Sequence, residues 1–225
     1  MNGVDRTHAR LADSEQDVPY TEDLQSPAGA RAWADAADEK RPQRRHVRQA
    51  IADEFQALAP GSRVLELGSG PGLLAEHVLR DCTHLGRYTL FDFSEPMLAM
   101  SRDRVGRFPS ATFVLGDFRM AGWSQRVAGP YEAVISMQAV HEVRHKRHVP
   151  GLYRQVYGLL VAAGLFLMSD RVPEDESPRS TALFMTEQEH LAALTAAGFV
   201  DARLLMSGDA LILFRCTKPA RSGSG

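Results

Sequence analysis

The passage VLELGSGPG at residues 64–72 constrains this chain most: an apolar run carrying one acid is closed at once by a glycine-rich turn. A short buried run running into Gly68-Ser69-Gly70-Pro71-Gly72 predicts a strand that turns sharply into a helix. The same rhythm continues downstream. Strands are predicted at 63–67, 87–92, 111–115, 131–136, 164–170, 199–206 and 209–216, and helices at 72–80, 95–106, 146–160 and 186–197. Strand alternating with helix gives a mostly parallel α/β sheet covered on both faces. Only the turn SGD (207–209) separates the last two strands, so they form an antiparallel hairpin.

Upstream of the first strand, Ile51, Phe55 and Leu58 recur at helical spacing until Pro60-Gly61 stops the pattern. Residues 1 to about 30 are rich in Asp, Glu, Ser and Pro and are expected to lie loosely. The organisation expected is a flexible N-terminus and helical region over 1–60, one α/β domain over 61–218, and a flexible tail over 219–225. With 225 residues and 44% hydrophobic content, the chain can bury a sizeable core. Its net charge of −2 gives no broad pull toward nucleic acid or an anionic membrane. No apolar run reaches the roughly 18 residues of a membrane span, and the polar N-terminus lacks the apolar core of a signal peptide. A cytoplasmic location is expected. Cys82 and Cys216 stand far apart, outside any metal-ligand spacing, so neither a disulfide framework nor a metal site is expected.

In an open α/β sheet the ligand lies beyond the carboxyl ends of the strands, where the first strand and its turn stand. A dinucleotide fingerprint reads G-x-G-x-x-G, and here the third glycine arrives one residue early. A P-loop is excluded, because no G-K-[ST] follows. Charge discriminates further. Glu66 is the last alternating position before the turn, and two unit charges 4 Å apart interact by roughly 4 kcal/mol at an effective dielectric of 20. A carboxylate there repels pyrophosphate and attracts a cation, which favours a cationic nucleoside such as S-adenosylmethionine. Asp92 ends the second strand, where an acid can accept hydrogen bonds from both ribose hydroxyls. After the third strand, Asp117 is placed to take an adenine amino group and Phe118 to pack on the ring.

These stations resemble the class I S-adenosylmethionine-dependent methyltransferases of the small-molecule type. The matching segments are VLELGSGPG, FDFSEPMLAMSRDR (91–104), VLGDF (114–118), YEAVISMQAVHEV (131–143), GLFLMSD (164–170) and the terminal hairpin, over about residues 45–217. The resemblance implies a Rossmann-like seven-stranded sheet with its last strand antiparallel, helices on both faces, and an N-terminal helical lid. It implies that Glu66 with Gly68, Ser69, Gly70 and Gly72 holds the methionine part and that Asp92 holds the ribose. Phe93 and Met97 would flank the adenine, Asp117 would bind its amino group, and Met137 would lie beside the transferable methyl.

Methyl transfer is an in-line displacement, and much of its acceleration can come from alignment in a prepared site. The candidate base is His141, just beyond the fourth strand, because an imidazole titrates near neutral pH. Relatives often carry a histidine pair here, whereas this chain has His141-Glu142. Glu142, Arg171 and, in the lid, Tyr20 are candidate substrate contacts. The histidine-rich run HEVRHKRH (141–148) lacks the interleaved aromatics of a nucleic-acid surface. No [DNS]-P-P-[YFW] follows the fourth strand, and the acidic metal set of catechol O-methyltransferases is missing. The expectation is a small-molecule acceptor, as in specialised metabolism, with O, N or C as the methylated atom. A non-catalytic S-adenosylmethionine-binding scaffold, a nucleic-acid methyltransferase and a nicotinamide oxidoreductase stand as rivals, and a homodimer stays open.

Overall fold

The structure, a computed structural model, describes residues 16–220. The looseness expected of the first fifteen residues and of the tail beyond 220 falls outside that range. Two helices come first, α1 (Pro27–Lys40) and α2 (Arg44–Gln56). Next come β1 (Arg63–Leu67), α3 (Leu73–Asp81), β2 (Arg87–Asp92), α4 (Glu95–Val105), β3 (Ala111–Leu115) and β4 (Tyr131–Met137). The chain ends with α5 (Val149–Leu159), β5 (Leu160–Arg171), α6 (Pro178–Leu183), α7 (Glu187–Ala196), β6 (Val200–Gly208) and β7 (Leu211–Thr217).

The seven strands order as β3-β2-β1-β4-β5-β7-β6, with β1 paired parallel to both β2 and β4, and β7 antiparallel to β5 and β6. This is the Rossmann-like architecture expected, with the last strand reversed. The order turns back between β1 and β4, so their carboxyl ends frame the crevice where such sheets take ligands. One core lies on each face. Val47, Ile51 and Phe55 of α2 pack with Val78 and Leu98 against Val64 and Ile135. On the other face Trp123, Tyr153, Leu194 and Phe199 pack against Leu65 and Phe166.

Local chemistry sets the ends. Ser26 and Ser94 cap α1 and α4 with prolines in the first turn, and Thr186 and Glu189 form a capping box on α7. Helix 146–160 is shorter than expected. Two 3-10 turns, Val140–Val143 and Lys146–His148, precede α5, which starts at Val149 with Pro150 in its first turn. Proline fits a first turn but would break a helix begun four residues earlier. The hairpin turns on Asp209 and Ala210, both at positive φ, the two-residue geometry that matches strand twist. β6 therefore runs to Gly208, two residues past its expected end, and β7 starts at Leu211, two residues after its expected start. Helix α6 was not expected, because its six residues show no apolar period. Among the described residues, no helix is long and apolar enough to cross a membrane, and both cysteines are buried and unpaired.

Candidate active site

The glycine turn after β1 is held on three sides. Gly68 and Ser69 donate backbone N–H bonds to the Phe91 carbonyl at 2.8 and 3.1 Å. Ser101 of α4 donates to the Gly70 carbonyl, and Arg104 to that of Pro71. Gly68 sits at φ +69°, and a Cβ there would stand 2.3 Å from that of Ala139. Only glycine combines that backbone with so close an approach of the chain leaving β4.

Beyond the turn lies a pocket at the carboxyl ends of β1, β2 and β4. Glu66, Gly68, Ser69, Gly70 and Asp92 line it on the polar side. Phe93, Met97, Phe118 and Met137 line it on the apolar side, with Leu24 and Leu74. Glu66 is buried and accepts the Tyr88 hydroxyl at 2.9 Å; burial raises its carboxyl to about 8, with the Asp92 charge adding to the rise and the Tyr88 bond opposing it. Asp92 accepts N–H bonds from Gly70 at 2.8 Å and from Ser94 at 2.9 Å, and burial, partly offset by those bonds, raises it to about 6. The Ser69 hydroxyl is buried with no hydrogen-bond partner among the described residues.

Residues 17–26 cross the mouth of this pocket. Val18 donates its N–H to Arg144, whose guanidinium in turn donates to the carbonyls of Val18 and Pro19. On the opposite bank Gln25 donates to the Phe93 carbonyl at 3.2 Å and Ser94 donates to that of Leu24. Tyr20 stacks on Phe93 with ring centroids 5.9 Å apart, and lines the pocket rather than a separate acceptor site.

Three expected residues stand elsewhere. Gly72 begins α3 at φ +78° and faces Ser101, off the pocket wall. Asp117 is taken by Arg119 two residues on, with their closest atoms 2.6 Å apart, and lines an outer cleft beside Tyr20 and Phe93. An adenine amino group would have to share this carboxylate with the Arg119 guanidinium. His141 lies in a second cavity with Arg171, and its ring is occupied. Nδ1 meets Asp170 at 2.6 Å and Nε2 meets Glu142 at 3.3 Å. Burial pulls the imidazole pKa down, but the charges and hydrogen bonds of Asp170 and Glu142 raise it to about 9. The two flanking carboxylates thus favour the charged imidazolium, and both ring nitrogens of the candidate base already have partners.

The second cavity, about 230 Å³, adjoins the first, and Glu22, Trp33, Arg44, Gln138 and Glu142 line both. Arg171 faces it, with its guanidinium over the Phe184 ring. Sequence reasoning missed Gln138, Asp170, Arg41 and Arg179 here. Asp170 alone carried a signal, as the acid closing the run GLFLMSD. Among the described residues no group of three or more His, Cys, Asp or Glu is gathered to hold a metal ion.

Comparison with known proteins agrees with this geometry. Residues 64–164 match the family described as a methyltransferase domain. An O-methyltransferase family protein from Burkholderia thailandensis superposes with a TM-score of 0.70 at 15% identity, over 96% of this chain and 69% of that one. N-methyltransferase NodS from Bradyrhizobium japonicum WM9 gives 0.64 at 15% identity, over 80% and 98%. The CurJ carbon methyltransferase gives 0.65 at 14% identity over 77% of this chain and 53% of that one, so this chain spans about half its length. No protein of curated function matches the sequence significantly. Residues 64–164 thus match a methyltransferase domain, and the sheet and its crevice have the fold of solved methyltransferases.

The pocket suits the S-adenosylmethionine expected from the sequence. Glu22, Asp92 and Glu142, with the Glu66 carboxyl that an arriving cation would ionise, face the guanidiniums of Arg44 and Arg48, a balance that favours a cation. The buried, unpartnered Ser69 hydroxyl on this wall is left to bond a ligand.

Proposed function

We propose that this protein transfers the methyl group of S-adenosylmethionine to a nucleophilic O, N or C atom of a small-molecule acceptor. The observation that carries this reading is adjacency: the pocket of Glu66 and Asp92 shares the wall residues Gln138 and Glu142 with a second cavity of a size for a small molecule. The cofactor supplies a methyl group activated on a sulfonium.

The chain's own residues do the rest. Glu66 and the Gly68–Gly70 turn hold the charged methionine end. Each Asp92 oxygen accepts one backbone N–H and keeps a lone pair for a ribose hydroxyl. Phe93, Met97 and Phe118 supply apolar surface for the adenine, while Met137, at the end of β4, walls the side nearer Gln138. Residues 17–26 act as a strap that excludes water and strengthens each of these charge contacts. His141, protonated between Asp170 and Glu142, fixes the Glu142 carboxylate on the shared wall instead of collecting a proton. Rate enhancement then rests on alignment of acceptor and methyl, worth several kcal/mol in well-oriented systems. An acceptor with an available lone pair or an already ionised nucleophile fits this arrangement.

Calorimetry with S-adenosylhomocysteine, followed by detection of that product across a panel of small acceptors, tests the reading. Binding with turnover on some members is expected. Absence of binding would refute it, and tight binding with no turnover on any acceptor would favour a non-catalytic cofactor-binding role.

A further inference from the structure

The two adjoining cavities carry opposite chemistry. Carboxylates outnumber cations in the wall of the cofactor pocket, whereas Arg41, Arg144, Arg171, Arg179 and His141 face the second cavity. Only Glu22 and Glu142 bring carboxylates to that second wall. The surrounding acids leave part of the positive charge uncancelled. Glu174 is shared between Arg41, at 3.2 Å, and Arg171. Glu142 is shared between Arg144, at 2.9 Å, and His141. Arg179, on α6 at the rim, meets no carboxylate among the described residues and reaches the Pro19 carbonyl only at 3.5 Å. With Asp170 counted against His141, five cations face four carboxylates, leaving Arg44 aside.

The remaining wall also presents hydrogen to a ligand. Gln138 accepts Arg44 through Oε1 at 2.8 Å, while its Nε2 is buried without a partner on the wall that the two cavities share. Its backbone sits at φ +56°, a strained conformation for a glutamine. Such strain persists where the surroundings enforce it and is common at ligand sites. Trp33, Leu183 and Phe184 complete the cavity with apolar surface.

We infer that this cavity takes an anionic acceptor, a small organic molecule bearing a carboxylate or phosphate, gripped by Arg41 and Arg179 and met by the Gln138 amide beside the methyl-transfer point. Guanidinium forks match either anion in geometry and charge. The inference rests on the methyltransferase reading, because it assigns the second cavity to the acceptor.

The test uses the enzyme saturated with S-adenosylhomocysteine and matched probes: salicylate against salicylamide, and phenyl phosphate against phenol. Acidic probes are expected to raise the melting temperature and bind by calorimetry, while their neutral partners do not. Which acidic series binds distinguishes carboxylate from phosphate. The double variant Arg41→Gln/Arg179→Gln should weaken acid binding by about tenfold or more while leaving S-adenosylhomocysteine affinity unchanged, since neither residue lines the cofactor pocket. Arg179→Lys alone should keep most of the acid affinity. Equal binding of neutral and acidic probes, no acid binding at millimolar concentration, or acid binding untouched by the double variant would overturn the inference. Failure of S-adenosylhomocysteine itself to bind is a separate result, which removes the methyltransferase reading and this inference with it.

Discussion

Asp170 holds His141 at two points: Oδ2 accepts the backbone N–H at 2.8 Å and Oδ1 meets ring Nδ1 at 2.6 Å. The first bond fixes the 3-10 turn after β4 and the second fixes the ring, so one carboxylate at the end of β5 sets both the course of the loop and the charge of its histidine. Glu142, on the far side of the same imidazolium, is oriented by the pair.

The charge of His141 makes stability depend on pH in a definite direction. Its folded pKa of about 9 exceeds the ordinary 6.5. The stabilisation is therefore complete below about pH 6.5 and is lost as pH rises through about 9. Asp170→Asn should lower stability by on the order of 1–3 kcal/mol at pH 7, and the gap from wild type should narrow toward pH 10. Urea midpoints at several pH values measure that gap. A gap that stays constant across this range would mean that His141 is not charged by Asp170.

Glu66 predicts proton release on cofactor binding. Burial holds its carboxyl near 8, so it is largely protonated at pH 7 before a cation arrives. A cationic ligand favours the ionised form, and affinity for S-adenosylmethionine should therefore rise with pH up to about 8. Calorimetry in two buffers of different ionisation enthalpy should register up to about one proton released near pH 7. Glu66→Gln should flatten this part of the profile; an unchanged slope in that variant would place the titration elsewhere.

Asp92→Asn separates charge from shape. The amide cannot accept both the Gly70 and the Ser94 N–H through separate oxygens, so one of those bonds is lost along with the charge. A loss of cofactor affinity equivalent to roughly 1.5–3 kcal/mol is expected, with a lower melting temperature. Unaltered affinity by calorimetry would refute the ribose role.

Gly68→Ala tests the turn. At φ +69° the added methyl group incurs left-handed strain of roughly 1–2 kcal/mol and meets the Ala139 Cβ at 2.3 Å. Both strand ends must shift, and a drop in melting temperature together with weakened cofactor binding should follow. A variant as stable as wild type and with full affinity would show that the approach of the Ala139 loop does not matter.

Much of this was legible along the chain because it is local. The apolar run of β1, the glycine turn and the terminal acids Glu66 and Asp92 follow from period, turn chemistry and charge within a few residues. What escaped depends on partners distant in sequence or on competition nearby. The His141 proton is set by Asp170, 29 residues away on another strand. Asp117 had the right position, but Arg119 two residues later claims its carboxylate. Arg41, just past α1, and Arg179, on α6, reach one cavity from positions far apart in the chain, and α6 has too few turns to show a helical period.

The strap over residues 17–26 has a kinetic consequence. It is fastened to Arg144 on one bank and to Phe93 and Ser94 on the other, above the ligand it would cover. Were both fastenings to hold over a bound ligand, its escape would be tied to a local opening of the chain. Unlatching would then act as a clock, setting how long spent cofactor stays and placing a ceiling on turnover however fast the methyl group moves.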